Sequence, residues 1–364
     1  MKILYDHQIF TTQKHGGISR YFYELILELN KMEDVETHIS LLVSNNHYLS
    51  DKNLVEYLNI LPHKYFRGKF RIFNLINKSK TILALNKKDF DVFHPTYYET
   101  YFLKYLENKP FVLTVYDMIH EKFSDYFPKN DRTTEKKKIL VEKSSKIIAI
   151  SESTKNDLCK IFKVNPEKVS VVYLATSFES IKSEPLKSIP QNYILFVGAR
   201  GGYKNFNFMI EAIADILKRD GIFLICAGGG KFKKEEIELF SKFGIDKMVM
   251  QTTVSDSELK FLYQNAIAFI FPSLYEGFGI PILESFASGC PVVLSNTSSF
   301  PEVAKDAGFY FDPYSLDSIE NAVEKVIYDS ELRKKLITRG YERLKFFSWA
   351  KTARETLKIY KEIL

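Results

Sequence analysis

Cysteine is scarce: the 364 residues hold only Cys159, Cys226 and Cys290. They lie far apart beside or within apolar stretches and form no C-x-x-C pair. That excludes a disulfide scaffold and reads as reduced, structural thiols. No run approaches the ~18 apolar residues of a membrane-spanning helix. No His/Cys cluster has metal-ligand spacing, and no G-x-G-x-x-G fingerprint of a nicotinamide cofactor occurs. Internal repeats and low-complexity segments are missing too. Met1 leads directly into "KILYD", a first strand, so no signal peptide is expected and the reading is cytoplasmic.

Acids are missing from one place in particular. Between Lys64 and Lys88 stand eight bases and no carboxylate: Lys64, Arg67, Lys69, Arg71, Lys78, Lys80, Lys87 and Lys88. Residues 1–187 carry 29 Lys+Arg against 23 Asp+Glu and residues 188–364 carry 22 against 22, so the net charge of +6 belongs to the first half. Phe66, Phe70 and Phe73 fall at helical spacing among these bases. The pattern suits a helix lying on an anionic membrane surface, or equally a core helix with a solvated basic face. No nucleic-acid-binding module accompanies the charge, so no nucleic-acid partner is expected.

Two series of apolar, strand-like runs alternate with helical patterns. The first spans 2–6, 38–44, 91–95, 111–117, 146–151 and 169–174. The second spans 193–199, 222–229, 247–253, 266–273, 291–296 and 308–313. Continuous apolar strands between helices predict an α/β protein with parallel sheets covered on both faces. The polar stretch 176–190, with two prolines, reads as the linker. The expected domains are 1–187, 188–345 and a tail helix over 346–364. In such sheets ligands bind at the loops leaving the carboxyl ends of strands.

One such loop is "SLYEGFGIPILESFASG", residues 273–289. Gly277 and Gly279 precede a helix whose first turn contains Pro281, which suits a position without a needed N–H. The amides of that turn form an anion site fit for phosphate. Glu284 sits one turn inside, where it can accept from the hydroxyls of a ribose or compensate the helix dipole. Glu276, in the loop, can accept from a sugar. The loop "GARGGYKNF" supplies Arg200 and Lys204, two fixed cations expected to have no acid nearby, suited to a diphosphate. Asp89 and Asp91 form a D-x-D pair at the amino end of a strand, read as turn chemistry. Gly16-Gly17, before an amphipathic helix, allows close backbone approach to a ligand. Arg20 and Glu24 read as a helix-surface pair, and Trp349 as a packing anchor for the tail.

GGISRY, SES, GxRxxYKN, YEGFGxPxLE and SWAKTA, in that order, resemble the family-4 retaining glycosyltransferases. The likeness spans essentially the whole chain. It implies the GT-B fold, with two Rossmann-like doubly wound domains facing a central cleft and a C-terminal helix returning to the first. It implies backbone contacts from Gly16 and Gly17 to the donor's phosphate and sugar, and a diphosphate grip by Arg200 and Lys204. Glu276 matches the acid at the donor sugar, beside the amides of Gly277, Phe278 and Gly279, and Glu284 matches the ribose reader. The stretch 252–263, including Val254 and Leu259, would pass along the base. Catalysis would fall to Glu276, Lys204 and Arg200, with no cofactor and no metal, the leaving diphosphate taking the acceptor's proton.

Two departures concern the sugar: Tyr116-Asp117 stands where many relatives have His-Asp, with His120 four residues on, and Tyr203 stands where many have arginine. His94, Tyr116, Asp117 and His120 are the acceptor-side candidates, and His7 and His15 are further ones facing the cleft. The expected function is hexose transfer, with mannose from GDP-mannose the best guess. The expected acceptor is a growing surface-polysaccharide or lipid-linked glycan, reached by peripheral contact of residues 64–88 at the inner face of the cytoplasmic membrane. The alternatives are a UDP- or dTDP-sugar donor, a nucleotide-sugar epimerase or phosphorylase of the same fold, and a non-catalytic subunit.

Overall fold

The computed structural model describes residues 1–50, 54, 55, 57, 58 and 68–364. Lys64, Phe66 and Arg67 lie outside the described residues. Packing divides the chain into two units, Met1–Leu174 with Ser348–Leu364, and Ala175–Phe347. The boundary thus falls just before the polar stretch, not within it at 187. The reason is local: the half of that stretch nearest the first unit is tied to the second. Buried Lys260 donates to the carbonyls of Phe178 (2.7 Å), Glu179 (3.3 Å) and Ile181 (2.7 Å), and Phe178 packs edge-on to Tyr263.

The first unit holds β1 (Lys2–Tyr5), β2 (Glu36–Ile39), β3 (Val92–His94), β4 (Val112–Val115), β5 (Lys146–Ala149) and β6 (Val169–Val171). They form two parallel three-stranded sheets, β2-β1-β3 and β4-β5-β6, linked by the parallel bridge Phe93–Phe111. After a leading lysine, inner strands β1 and β5 are apolar and buried, as expected for strands covered on both faces. Edge strand β2 instead exposes Glu36 and His38. The Trp349–Glu362 helix packs back here on the Gly17–Leu29 helix, with Trp349 beside Tyr21 and Tyr360 buried in the core.

The second unit holds β7 (Tyr193–Val197), β8 (Phe223–Ala227), β9 (Val249–Thr252), β10 (Phe269–Phe271), β11 (Val292–Ser295) and β12 (Gly308–Phe311). They make one parallel sheet in the order β12-β11-β10-β7-β8-β9. Counted from the unit's first strand this is the Rossmann order, and the direction of winding reverses between β7 and β10. Ile194, Leu224, Ile270 and Val293 pack beneath the Phe206–Asp220 helix. Among the described residues, no helix is long and apolar enough to cross a membrane.

Candidate functional site

The reversal point of the second sheet brings together the loops after β7 and β10. Leu274 N donates to Tyr203 O at 2.8 Å, sewing one loop to the other. That contact sets Lys204 Nζ 2.5 Å from Glu276 Oε1, which also accepts from Ser273 Oγ at 2.8 Å. The loop after β11 holds the same carboxylate's backbone: Ser298 Oγ contacts both N and O of Glu276, and Ser299 Oγ donates to the carbonyls of Glu276 and Phe278, both at 3.0 Å. Gly279 then caps the Ile280–Ala287 helix at φ 92°; a Cβ there would lie 3.0 Å from Ile282 and Phe300. Only glycine takes that conformation without strain, and it starts the helix three residues after Glu276. The expectation that no acid stands near Lys204 is therefore corrected: Glu276 is its partner.

Arg200, too, has partners within its own unit. Its guanidinium is turned inward: Nε donates to Glu236 Oε1 at 2.8 Å, Nη1 to Gly228 O at 3.0 Å, and Nη2 to Gly230 O and Lys231 O at 2.9 and 3.1 Å. Glu236 in turn accepts Lys233 N at 2.6 Å and so caps the Lys234–Phe243 helix. Gly229 sits at φ 70°, and a Cβ there would lie 2.6 Å from the guanidinium. Arg200 is the clasp of the triglycine loop after β8, with Nε, Nη1 and Nη2 all engaged by the chain itself.

Glu284 lies one turn into its helix, buried, with its carboxylate 3.4 Å from the Tyr263 hydroxyl. Burial first, and this carboxylate second, push that phenol's pKa far up, so Tyr263 stays a donor. Val254 and Leu259 flank the start of the Asp256–Asn265 helix, capped by Ser255 with Glu258. Thr297 Oγ1, next to Ser298, is buried and has no partner.

In the first unit, Gly17 begins its helix and Gly16 caps it. The missing Cβ at Gly16 admits the Gln13 carboxamide, whose Oε1 accepts Ser19 N at 3.1 Å. Arg20 and Glu24 approach to 4.0 Å, but Arg20 is buried, which corrects the surface reading. Asp89 and Asp91 both hold Lys2, through its Nζ (2.6 Å) and its backbone N (2.7 Å).

His94 is not at a ligand face. It is fully buried in a hydrogen-bonded row, Tyr5–Tyr360–His94–Thr114–Tyr21, with its Nδ1 2.6 Å from Tyr360 and its Nε2 2.9 Å from Thr114. Burial lowers its pKa to about 3, so it is neutral. Tyr116 is also inside, its hydroxyl donating to Thr96 O at 3.1 Å. Asp117 is partly exposed and accepts Ile119 N at 3.0 Å. His120, half-buried, stacks on Phe127 at 3.9 Å and lies 4.0 Å from Asp131, with burial lowering its pKa. Of these four candidates Asp117 and His120 reach the surface, and the further candidate His15 is exposed. His7, buried at the end of β1, has no partner for either ring nitrogen, and burial lowers its pKa to about 4.

"Glycosyltransferase Family 4" matches residues 15–178 and "Glycosyl transferases group 1" matches residues 177–343. The chain belongs to the family-4 GT-B glycosyltransferases. It is 29% identical to O-antigen chain mannosyltransferase B of Escherichia coli over 69% of this chain and 70% of that one. It is 30% identical to O-antigen chain mannosyltransferase RfbU of Salmonella typhimurium over 52% and 53%. The Anabaena protein HepE, solved with UDP and glucose, shares the fold at TM-score 0.75 and 14% identity over 99% of both chains.

Several residues of this glycosyltransferase's site escaped the sequence reading. Ser298 and Ser299 stand in "SNTSSF" after β11, where a polar cluster closing a buried strand was the available signal. Glu236 gave none, because its partner lies 36 positions away.

Proposed function

We propose that this glycosyltransferase moves a hexose, mannose from GDP-mannose as the best reading, onto a growing surface-polysaccharide or lipid-linked glycan. The observation that carries the reading is the Lys204–Glu276 pair at the reversal point of the second sheet, beside the start of the Ile280–Ala287 helix. Lys204 faces the donor's diphosphate with the amides of that turn, and Glu276 faces the sugar. Glu284 reads the ribose. The arriving diphosphate competes with Glu276 for the ammonium, so binding releases the carboxylate towards the sugar hydroxyls.

Transfer proceeds with retention: the bond from the anomeric carbon to the diphosphate oxygen breaks and the acceptor oxygen bonds on the same face. The acceptor's proton passes to the leaving diphosphate. Lys204 and the helix amides stabilise that charge, so no metal and no cofactor is required and activity persists in EDTA. The two O-antigen mannosyltransferase relatives support mannose.

A donor screen tests it. A ligand that binds only the native state raises the melting temperature. GDP-mannose is expected to raise it more than UDP-, dTDP- or ADP-sugars, and the product's anomeric configuration should match the donor's. A rise with UDP-sugars alone overturns the donor, and an inverted product overturns the mechanism.

A further inference from the structure

We infer that the outer face of the Lys69–Lys87 helix is a docking surface for an anionic lipid bilayer. The helix buries Phe73, Asn77, Thr81 and Leu85, which repeat every fourth residue along one side. Phe73 therefore belongs to the core and not to the surface stripe anticipated from the phenylalanine spacing. Polar anchors fix the roll of the helix. Asn77 Oδ1 accepts Leu42 N and Val43 N at 3.0 and 2.9 Å, and its Nδ2 donates to Val43 O and Thr11 Oγ1 at 2.8 and 2.9 Å. Thr81 Oγ1 bonds Ser40 O at 3.2 Å.

With that roll set, the opposite side presents an exposed row of aliphatic side chains. Ile72, Leu75 and Leu83 are 48%, 66% and 61% exposed, with exposed Ser79 between them. At 100° per residue, Arg71 falls along one flank of this row and Lys80 and Lys87 along the other, while half-buried Lys78 turns towards the core side over the Tyr101 ring at 5.2 Å. No acid occurs from Gly68 to Lys88. A helix held by one face to a folded body, apolar on the other and edged by bases, matches a plane of acyl chains ringed by anionic headgroups. Three aliphatic side chains in a line are small against the ~800 Å² per partner of a stable protein interface, and the basic flanks suit headgroups.

The inference deepens the acceptor side of the proposed function, and rests on it only for its purpose, since a lipid-linked glycan is presented at such a surface. The test reads the surface alone. The protein is sedimented with vesicles of phosphatidylcholine, with or without phosphatidylglycerol, at low and at ~1 M salt, where screening shortens to ~3 Å. Binding is expected only with phosphatidylglycerol and low salt. Each base near the surface is worth roughly five-fold, so replacing Arg71, Lys80 and Lys87 by Glu should weaken partition by on the order of 100-fold or more. Ser79→Glu, a single change at the centre of the exposed row, provides a gentler variant and should also reduce binding.

Melting temperature and GDP-mannose binding are followed in parallel and should be unchanged, which separates failure of this surface from failure of the donor reading. Wild-type protein that ignores anionic vesicles, binds neutral ones equally, or keeps its affinity in both folded variants overturns the inference. Retention by nucleic acid or by a protein partner in place of vesicles overturns it too.

Discussion

Replacing Arg200 by Met should unfold the second unit more easily and leave transfer chemistry nearly intact. The guanidinium is 3% exposed as a side chain, against 7% for its partner Glu236. Deleting it strands a buried carboxylate and removes donors from the carbonyls of Gly228, Gly230 and Lys231. Breaking one side of a buried ion pair costs about 3–5 kcal/mol. A domain of this size loses roughly 2–4 °C per kcal/mol, so the melting temperature should fall by about 10 °C. Glu236→Gln should fall similarly, and Arg200→Met combined with Glu236→Leu should recover part of the loss, since no charge is then left unpaired. Thermal melts of the three variants read the coupling, and turnover below the transition should stay within ~10-fold of wild type. An Arg200→Met protein that melts like wild type yet loses 100-fold or more in turnover would refute this, and would make Arg200 a diphosphate ligand after all.

Acid should destabilise the first unit ahead of the second. His7 and His94 have pKa values lowered by burial from 6.5 to about 4 and about 3. As pH falls below ~6.5 the unfolded chain takes up protons that the native state refuses, so at pH ~5 each histidine costs roughly 2 kcal/mol. Urea titrations should show stability dropping between pH ~6.5 and ~4, and a flat profile from pH ~7 to ~5 contradicts the burial argument. Glu284→Gln should weaken binding of the free nucleoside diphosphate, while Glu276→Gln should spare it and harm sugar transfer. Equal loss of nucleotide affinity in both, read by calorimetry, would dissolve the division of roles.

The strands among the described residues were legible because parallel strands covered on both faces read as apolar runs, and each overlaps its expected stretch. The Glu276 loop was legible because it needs glycine, proline and an acid at fixed local spacing. What failed to read out depends on distant partners. Arg200 looked like a free cation because Glu236 is remote in sequence, and His94 looked like a strand-end ligand because Tyr360 arrives from the far end of the chain. The domain boundary was misplaced for the same reason: polar residues 176–190 read as linker, while Lys260 gathers the carbonyls that fasten part of them. Phe73 and Leu75 show the limit within one helix: the core face carries polar Asn77 and Thr81 beside Phe73 and Leu85 while Leu75 stands exposed, so the pattern does not say which side is the core.

Turnover of the Lys204→Ala variant at saturating donor tests the central claim most directly. Lys204 is the cation that the structure sets against Glu276 beside the Ile280–Ala287 helix. Removing one preorganised charge partner of the leaving group should reduce turnover by on the order of 100–1,000-fold, with the melting temperature close to wild type. A folded Lys204→Ala protein that turns over within a few-fold of wild type would contradict the account.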